Sequence, residues 1–437
     1  MNEPQNVLFW HRRDLRMTDN TGLYKALKSG NKVQAVFIFD ETILEQLPEN
    51  DQRVLFIHRE LSALKLAYQQ LGSDLIVLHG NPLNLIPQLA QEYHASTVFI
   101  NRDYEPAALE RDQLIQAQLQ ELGILFVGSK DHVIFEKNEI LKADNTPYTI
   151  FTPYMRRWKE QLTDEHFSAY PTADFFTNLT TVEHYSKLPA LTEMGFSTKQ
   201  LVDFPSKTTV LSIIENYAET RDIPAIHGTS RLSLHLRFGT ISIRELVSSA
   251  LTTGEKFLNE LIWRDFYQMI LFHFPYSIHS AFKPNYNRIQ WEHNDEHFNH
   301  WCEGTTGYPL VDAGMRELNA TGHMHNRVRM VVASFLTKHL LIDWRLGERY
   351  FALKLLDFEL ASNVGGWQWA AGCGCDAAPY FRVFNPTAQQ QKFDPSFTYI
   401  RKWVPEFGTP AYPEPIIDHK TARERVLARY KEGLGKE

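Results

Sequence analysis

Five short apolar segments alternate with longer amphipathic ones over the first 135 or so residues of the chain. Segments 53–72 and 108–123 have helical periodicity and end at a glycine, the residue that most often terminates a helix. Alternating strands and helices build parallel sheets with right-handed crossovers. A doubly wound sheet is therefore predicted, with ligands expected beyond the carboxyl ends of its strands. The five segments predicted as buried strands are 6–11, 33–40, 74–80, 96–101 and 124–128.

The second half of the chain has a different pattern. From about residue 200 onward helical periodicity dominates, and seven of the nine tryptophans lie between Trp263 and Trp403. A chain of 437 residues exceeds the roughly 250–300 residues at which one core stops growing. We therefore predict an α/β domain over 1–135, a linker over 136–199, and a larger all-α domain over 200–437.

Hydropathy, cysteine content and net charge indicate which classes of protein this chain can belong to. No apolar run reaches the roughly 18 residues that span a membrane, and no basic and apolar leader precedes the first strand, so a cytoplasmic protein is expected. The three cysteines, Cys302, Cys373 and Cys375, suit a reducing compartment and lack the spacing of a zinc site, so no metal is expected. The net charge of -7 disfavours nonspecific coating of nucleic acid, although a local basic patch can still bind DNA.

One predicted helix, 259–268, carries chemically suggestive side chains. Glu260, Trp263, Arg264 and Tyr267 recur at the i, i+3, i+4, i+7 spacing of a single helix face. Such a face is consistent with an internal Glu260–Arg264 ion pair and packed aromatics, or with the wall of a cavity. The spacing alone leaves both interpretations open.

Segment 322–344 reads as one long helix in which Asn326 and Met330 lie one turn apart. His323 and His325 diverge on such a helix, which favours capping or surface roles over metal ligation.

In segment 355–372, a helix is predicted to end near Asn363 and to relax at Gly365 and Gly366. Trp367 and Trp369 then face roughly opposite directions, so that one can line a pocket while the other enters the interior.

Segment 227–242 places the hydroxyls of Thr229, Ser230 and Ser233 at a helix start. This is a phosphate-binding arrangement, but a simple helix cap gives the same pattern.

Together these segments resemble the photolyase and cryptochrome family, and within it the class I cyclobutane pyrimidine dimer DNA photolyases. The resemblance begins with FWHRRDLRMTDNTGL at 9–23 and is densest over 306–330 and 360–386. It covers essentially the whole chain. It implies an amino-terminal α/β antenna domain and a helical domain that holds FAD, active as FADH⁻.

The resemblance also implies a set of flavin contacts. Asn363 would face flavin N5, where an amide can donate or accept without adding charge. The family usually has Asp where this chain has Glu359, so that contact is expected to be lengthened or made through water. The implied FAD-binding residues are Tyr217, Thr229, Ser230, Arg231, Leu232, Ser233, Arg329, Asp357, Glu359 and Asn363.

A pyrimidine dimer extruded from UV-damaged DNA is the implied substrate. It would stack against Trp263 and Trp369, and Glu260 would stabilise the radical anion. The implied dimer pocket is Glu260, Trp263, Asn326, Met330 and Trp369, with Arg264 and Tyr267 on the same helix face as Glu260. The implied DNA-backbone contacts are Arg221, Arg327, Arg382 and Gln389.

In the implied mechanism, excited FADH⁻ lends one electron to the dimer, the cyclobutane bonds break, and the electron returns. Trp291, Trp344 and Trp367 match a tryptophan chain that reactivates oxidised flavin. The resemblance leaves the identity of the antenna chromophore undetermined. Glu105 resembles a folate-contacting position, but the alternatives are methenyltetrahydrofolate, deazaflavin, another flavin and no antenna at all. A monomer is expected.

Three other functions fit the sequence less well. A signalling cryptochrome is disfavoured by Asn363, where such relatives often carry Asp or Cys, by Met330 and Trp263, and by the lack of a long carboxyl-terminal extension. A photolyase for (6-4) photoproducts is disfavoured because HNRVRM lacks the histidines those relatives present. A purely structural flavin-binding or DNA-binding module leaves the pocket and the tryptophan chain unexplained.

Overall fold

The computed structural model describes residues 5–209 and 211–435. Its described strands form one parallel sheet, as predicted, in the order β3-β2-β1-β4-β5. Because the strand order reverses between β1 and β4, a crevice is expected at the carboxyl ends of these two strands. The strands are β1 Asn6–His11, β2 Lys32–Asp40, β3 Leu75–Gly80, β4 Ala95–Asn101 and β5 Leu125–Ser129.

Burial on both faces of the sheet explains why its strands are continuously apolar rather than alternating. Successive residues of β1 pack into different cores: Val7 and Phe9 join one cluster, while Leu8 and Trp10 join the other. The first cluster also takes in Leu179, from the segment predicted as a linker.

Helices account for most of the remaining regular structure. In chain order they are α1 Thr21–Lys28, α2 Glu41–Leu44, α3 Gln52–Gln70, α4 Pro82–Glu92, α5 Pro106–Glu121, α6 Phe151–Gln161, α7 Asp164–Phe167, α8 Leu211–Glu215, α9 Tyr217–Thr220, α10 Ser233–Phe238, α11 Ile243–Thr253, α12 Glu255–His273, α13 Asp295–Glu303, α14 Pro309–Thr321, α15 Asn326–Ser334, α16 Trp344–Lys354, α17 Leu360–Ala371, α18 Pro386–Phe393, α19 Thr398–Trp403 and α20 His419–Gly433. No helix within the described residues is long and apolar enough to cross a membrane.

The described residues form two compact units. The first holds the chain up to Glu136 together with Leu162–Thr208 and Leu232–Leu251; the second holds the remainder. The predicted linker thus contributes residues to both units. The functional division into an antenna domain, a linker and a flavin domain stays a prediction.

The structure corrects the prediction of a single helix over 322–344. Gly322, with φ +66°, ends α14, and the side chain of His325 caps α15 by accepting a hydrogen bond of 3.2 Å from the Arg327 amide. A π-helical turn, Phe335–His339, follows α15. Capping by His325 agrees with the role expected for it, and the cap explains why the helix begins at Asn326.

The prediction that a helix ends near Asn363 is wrong. Helix α17 continues through both glycines to Ala371, because Gly365 packs directly against the ring of Tyr267. Tertiary packing here outweighs the low helix propensity of glycine. The carboxyl-terminal helix α20 is anchored to the rest of the second unit, because Val426 and Tyr430 are buried.

A buried ion-pair cluster occupies the carboxyl end of β5 in the first unit. Asp131 is 0% exposed and binds Arg16 at 2.7 Å and Arg244 at 2.9 Å. It also accepts a hydrogen bond of 3.1 Å from the Thr21 amide. Burial alone would raise the pKa of Asp131, but the two guanidinium groups outweigh burial and hold this pKa well below its ordinary value.

Replacing Asp131 with Asn should destabilise the first unit by about 3 kcal/mol, because two buried guanidinium groups would lose their shared counter-charge. Since the pKa is lower in the folded state, this stabilisation is present above the unfolded pKa of about 4 and is lost as the pH falls further. Urea unfolding from pH 7 to pH 3 measures it. The exposed Asp174→Asn is the control, and a destabilisation equal at all pH values would contradict the account.

Candidate functional site

Helix α12 presents the side chains that the sequence analysis singled out, but Glu260 and Arg264 bind two different segments. The Glu260 carboxylate accepts a hydrogen bond from the Arg221 guanidinium just after α9. Arg264 instead pairs with Glu359, at the start of α17, at 3.0 Å. The internal Glu260–Arg264 pair therefore does not form, and this face of α12 is a wall that joins three segments.

Trp263 is supported on one side by a residue that sequence reasoning missed. Its indole stacks on the ring of Phe151, with centroids 3.7 Å apart and planes 6° from parallel. Phe151 lies at the start of α6 and is 7% exposed, and its amide donates to Asp376 at 3.1 Å. Because Phe151 falls in the predicted linker, 112 positions before Trp263, no local pattern could reveal the pairing.

Tyr267 joins Trp263 to α17. The two rings lie 5.4 Å apart, and a Cβ atom at Gly365 would come within 2.2 Å of the Tyr267 ring. Burial raises the pKa of Tyr267 far above its ordinary value, so its phenol stays neutral at physiological pH. The glycine that was predicted to break α17 instead lets α12 approach it closely.

Helix α15 carries the exposed Asn326 and the half-buried Met330 on one side. Arg327, from the same helix, binds Asp222 at 2.8 Å and lies over the Phe393 ring at 4.4 Å. Its Nη1 is 3.5 Å from the sulfur of Met330. The structure therefore brings Arg327 and Met330 together.

A second arginine predicted to contact DNA, Arg221, also has acidic partners. It lies 5.2 Å from the ring centre of Tyr217 and contacts Glu260. Burial, reinforced by Glu260, raises the pKa of Tyr217 to about 12. Arg382 is exposed, lies 5.5 Å from the Phe384 ring, and has no acidic partner among the residues described. Gln389 is half-buried in the middle of α18.

The residues predicted to flank a flavin form close pairs. Arg329 binds both carboxylate oxygens of Asp357, at 3.0 and 3.1 Å. Glu359 binds Arg264 at 3.0 Å and accepts a hydrogen bond of 3.3 Å from Ser362. Asn363 donates both of its amide hydrogen bonds to Glu348 of α16.

The run 229–233 does not act as a simple helix cap. The residue at the cap position of α10 is Leu232, and no side chain makes a capping hydrogen bond there. Thr229, Ser230 and Arg231, which belong to the second unit, have side chains without a hydrogen-bond partner among the described residues. Arg231 also has φ +54°, a conformation that is uncommon for residues other than glycine. These groups are available to bind an anion. Leu232 and Ser233 belong to the first unit.

The predicted tryptophan chain lies in and around one core. Trp344 and Trp367 are 1% and 2% exposed, and Trp291 is half-buried against the same cluster. The tryptophan whose ring contacts Trp367, however, is Trp301, at 5.9 Å. Trp301 was missed because its position in the sequence carries no sign of the contact.

Trp367 and Trp369 diverge as expected. Trp367 is buried, while Trp369 is half-buried with its ring 6.3 Å from that of Phe384. The indole N–H of Trp367 has no hydrogen-bond partner among the described residues.

Two protein families match different parts of this chain. The family described as "DNA photolyase" matches residues 7–172, and the family described as "FAD binding domain of DNA photolyase" matches residues 257–410. A deoxyribodipyrimidine photo-lyase of Halobacterium salinarum is 37% identical, over 98% of this chain and 100% of the relative.

Solved structures are similarly close. A class III photolyase from Agrobacterium tumefaciens has a TM-score of 0.87 at 32% identity, covering 100% of this chain and 99% of its own. An archaeal photolyase from Sulfolobus tokodaii, solved with two FAD molecules, has a TM-score of 0.81 at 32% identity, with 98% and 100% coverage. A Synechocystis cryptochrome has a TM-score of 0.82 at 27% identity, with 99% and 100% coverage.

The two adjacent glycines of α17 give a matched test of the α12–α17 contact. Gly365→Ala should destabilise the second unit by about 1–3 kcal/mol, because its Cβ would overlap the Tyr267 ring. Gly366→Ala should stabilise it by about 0.5–1 kcal/mol, because nothing lies within 4 Å of that position. Chemical denaturation measures both variants. Equal effects would show that the close approach is not a constraint.

Proposed function

Because the chain belongs to the photolyase and cryptochrome family, we propose that it is a deoxyribodipyrimidine photo-lyase that uses light to split cyclobutane pyrimidine dimers in DNA. The observation that carries this proposal is the wall on α12, where Glu260 and the supported indole of Trp263 share one helix face. A polar acceptor beside a flat aromatic surface suits an extruded base. The family match assigns an FAD-binding domain to residues 257–410.

The second unit contains groups that fit this cofactor. The free hydroxyls of Thr229 and Ser230 and the unpaired guanidinium of Arg231 would bind its phosphates, with Tyr217, Leu232 and Ser233 beside them in the sequence motif. The Arg329–Asp357 pair and Glu359 would flank the isoalloxazine, and Asn363 would face N5. When bound in its reduced form, the cofactor supplies the photoexcited electron that splits the dimer.

On the substrate side, the chain's own residues bind and orient the lesion. Trp263 and Trp369 would stack on the two bases, while Asn326, Met330 and the Arg264 and Tyr267 side of α12 complete the pocket. Glu260 would accept a hydrogen bond from a base. In the free protein Arg221 occupies that carboxylate. A DNA phosphate that draws Arg221 away would release Glu260 to the lesion.

The other proposed DNA contacts differ in whether an acidic residue already binds them. Arg327 would exchange Asp222 for a phosphate, whereas Arg382 and Gln389 would bind the backbone without first giving up an acidic partner. We propose that the protein acts as a monomer on this damaged DNA.

The tryptophans would serve a separate task, the reactivation of oxidised cofactor. Trp367, Trp344 and Trp291 are the proposed route, supported by their placement in and around one core. The indole N–H of Trp301 donates to the Val332 carbonyl at 3.2 Å and is sealed from water, so a radical cation there could not lose its proton to solvent.

Two finer assignments concern the photolyase class and the antenna. Class I membership is the prediction from the sequence motifs, and a class III photolyase is among the similar structures. A second flavin as antenna is supported by the Sulfolobus tokodaii relative with two FAD molecules. In this chain Glu105, the position resembling a folate contact, is paired with Arg13 at 3.3 Å and Arg237 at 3.1 Å. A blue-light-sensing cryptochrome is the alternative function, favoured by the Synechocystis structure.

The experiment that separates repair from signalling is direct. Purified, fully reduced holoprotein is mixed with DNA that contains thymine dimers and divided between blue light and darkness. Loss of dimers only in the illuminated half is expected. Dimers left intact under illumination would overturn the repair proposal, and equal repair in darkness would refute photochemistry.

Trp263→Ala should weaken binding to dimer-containing DNA by about 1–3 kcal/mol, the cost of one lost base stack. Binding is measured in darkness by fluorescence anisotropy on damaged and undamaged duplexes. Trp263→Phe keeps a stacking ring against Phe151 and should lose less. Unchanged affinity in Trp263→Ala would remove this residue from the pocket.

Trp367→Phe should slow photoreduction of oxidised flavin while sparing repair by enzyme reduced beforehand, because the proposed route is needed only for reactivation. Transient absorption and repair assays on the same preparation measure the two activities. Normal photoreduction in Trp367→Phe would reject the route.

A further inference from the structure

One face of the Trp263 indole is covered by a ring from a different helix. The Phe151 ring of α6 lies against the indole, with centroids 3.7 Å apart and planes 6° from parallel. Phe151 is buried, whereas Trp263 is half-buried. An indole has two faces, so a further ring, such as a base, can stack only on the face turned away from Phe151.

A third ring holds this stacked pair in place. Phe266, three residues after Trp263 in α12, is 0% exposed and stands at 82° to the indole and 76° to the Phe151 ring. Its centroid lies 5.5 Å from that of Trp263 and 5.8 Å from that of Phe151. Because these two distances are nearly equal, Phe266 lies beside the pair and not over the outer face of either ring. Perpendicular contacts of this kind are favourable between aromatic rings, so they oppose rotation of the pair.

The backbone of Phe151 is fixed as well. Its amide, at the start of α6, donates to the Asp376 carboxylate at 3.1 Å, and the Asp376 amide donates to the Thr149 carbonyl at 3.2 Å. A carboxylate is favoured at this end of a helix, where the N–H groups lack partners within the helix. The three stacked or perpendicular rings, Thr149 and Asp376 all belong to the second unit. Asp376 therefore ties the start of α6 to the segment that follows α17.

We infer that Phe151 is a positioning residue for the lesion, because it holds the Trp263 indole in one orientation and leaves a single face for a base of the dimer. This inference rests on the proposed function, in which Trp263 stacks on that base. A side chain that is fixed before binding loses little conformational freedom when the ligand arrives, so affinity is higher than with a freely rotating indole. Phe151 therefore contributes to affinity only while Trp263 is present.

A double-mutant cycle measures this dependence. Phe151→Leu, Trp263→Ala and the double variant, each loaded with FAD, are titrated in darkness with dimer-containing and undamaged duplexes by fluorescence anisotropy. Phe151→Leu should weaken binding to the dimer about threefold to tenfold, the effect of ordering one freed side chain. Binding to the undamaged duplex should stay unchanged. In the Trp263→Ala background, Phe151→Leu should have no effect.

The control is Phe407→Leu, which removes a half-buried ring that contacts Phe397 and Tyr412, and it should match wild type. Equal losses from Phe151→Leu with and without Trp263 would overturn the inference, because Phe151 would then act on the fold and not through the indole. A loss in Trp263→Ala with none in Phe151→Leu would overturn the inference alone. No loss in Trp263→Ala would overturn the proposed stacking role of Trp263 as well.

If Phe151→Leu does not fold, Asp376 offers two variants that keep the ring. Asp376→Ala frees the Phe151 amide, whereas Asp376→Asn retains an acceptor for it, and both remove the negative charge. Binding to the dimer should be about twofold weaker in Asp376→Ala than in Asp376→Asn, the low end of the effect of one hydrogen bond, and only while Trp263 is present. Equal affinities of these two variants would overturn the inference.

Discussion

The close approach of α12 and α17 is the constraint on which the candidate site depends. The two helices can approach because Gly365 has no side chain, and the ring of Tyr267 lies where a Cβ atom of that residue would be. The indole of Trp263 contacts the ring of Tyr267 in the same helix, and the ring of Phe151 stacks on that indole. One small residue thus determines how far the proposed lesion wall lies from the helix that carries Asn363. A larger residue at this position would separate the two proposed binding surfaces.

Electrostatics refine what this packing establishes. Arg264 with Glu359 and Arg329 with Asp357 are pairs between separate segments, and both orient groups beside the proposed flavin. Glu348 does the same for a neutral amide through two hydrogen bonds. In each case a charged or polar side chain is fixed before any ligand arrives, which lowers the reorganisation that binding would otherwise require.

Regular periodicity made the sheet and helices such as α3, α5 and α12 predictable from sequence. The limits of α15 and α17 were not, because they depend on a histidine cap and on a glycine that packs against a distant ring. Phe151, Trp301 and Glu348 were missed for the same reason: each acts through a contact far away in the chain. The partners of Glu260 and Arg264 also could not be inferred, since helical spacing suggested that the two residues pair with each other.

The account's central claim is that α12 and α17 hold a lesion and a reduced flavin side by side. A crystal structure of the reduced holoprotein bound to a duplex with one thymine dimer would test this most directly. The account predicts an extruded dimer against Trp263, Glu260 released from Arg221, and Asn363 within hydrogen-bond distance of flavin N5. A dimer that stays stacked in the duplex, or a flavin bound away from Asn363, would contradict it.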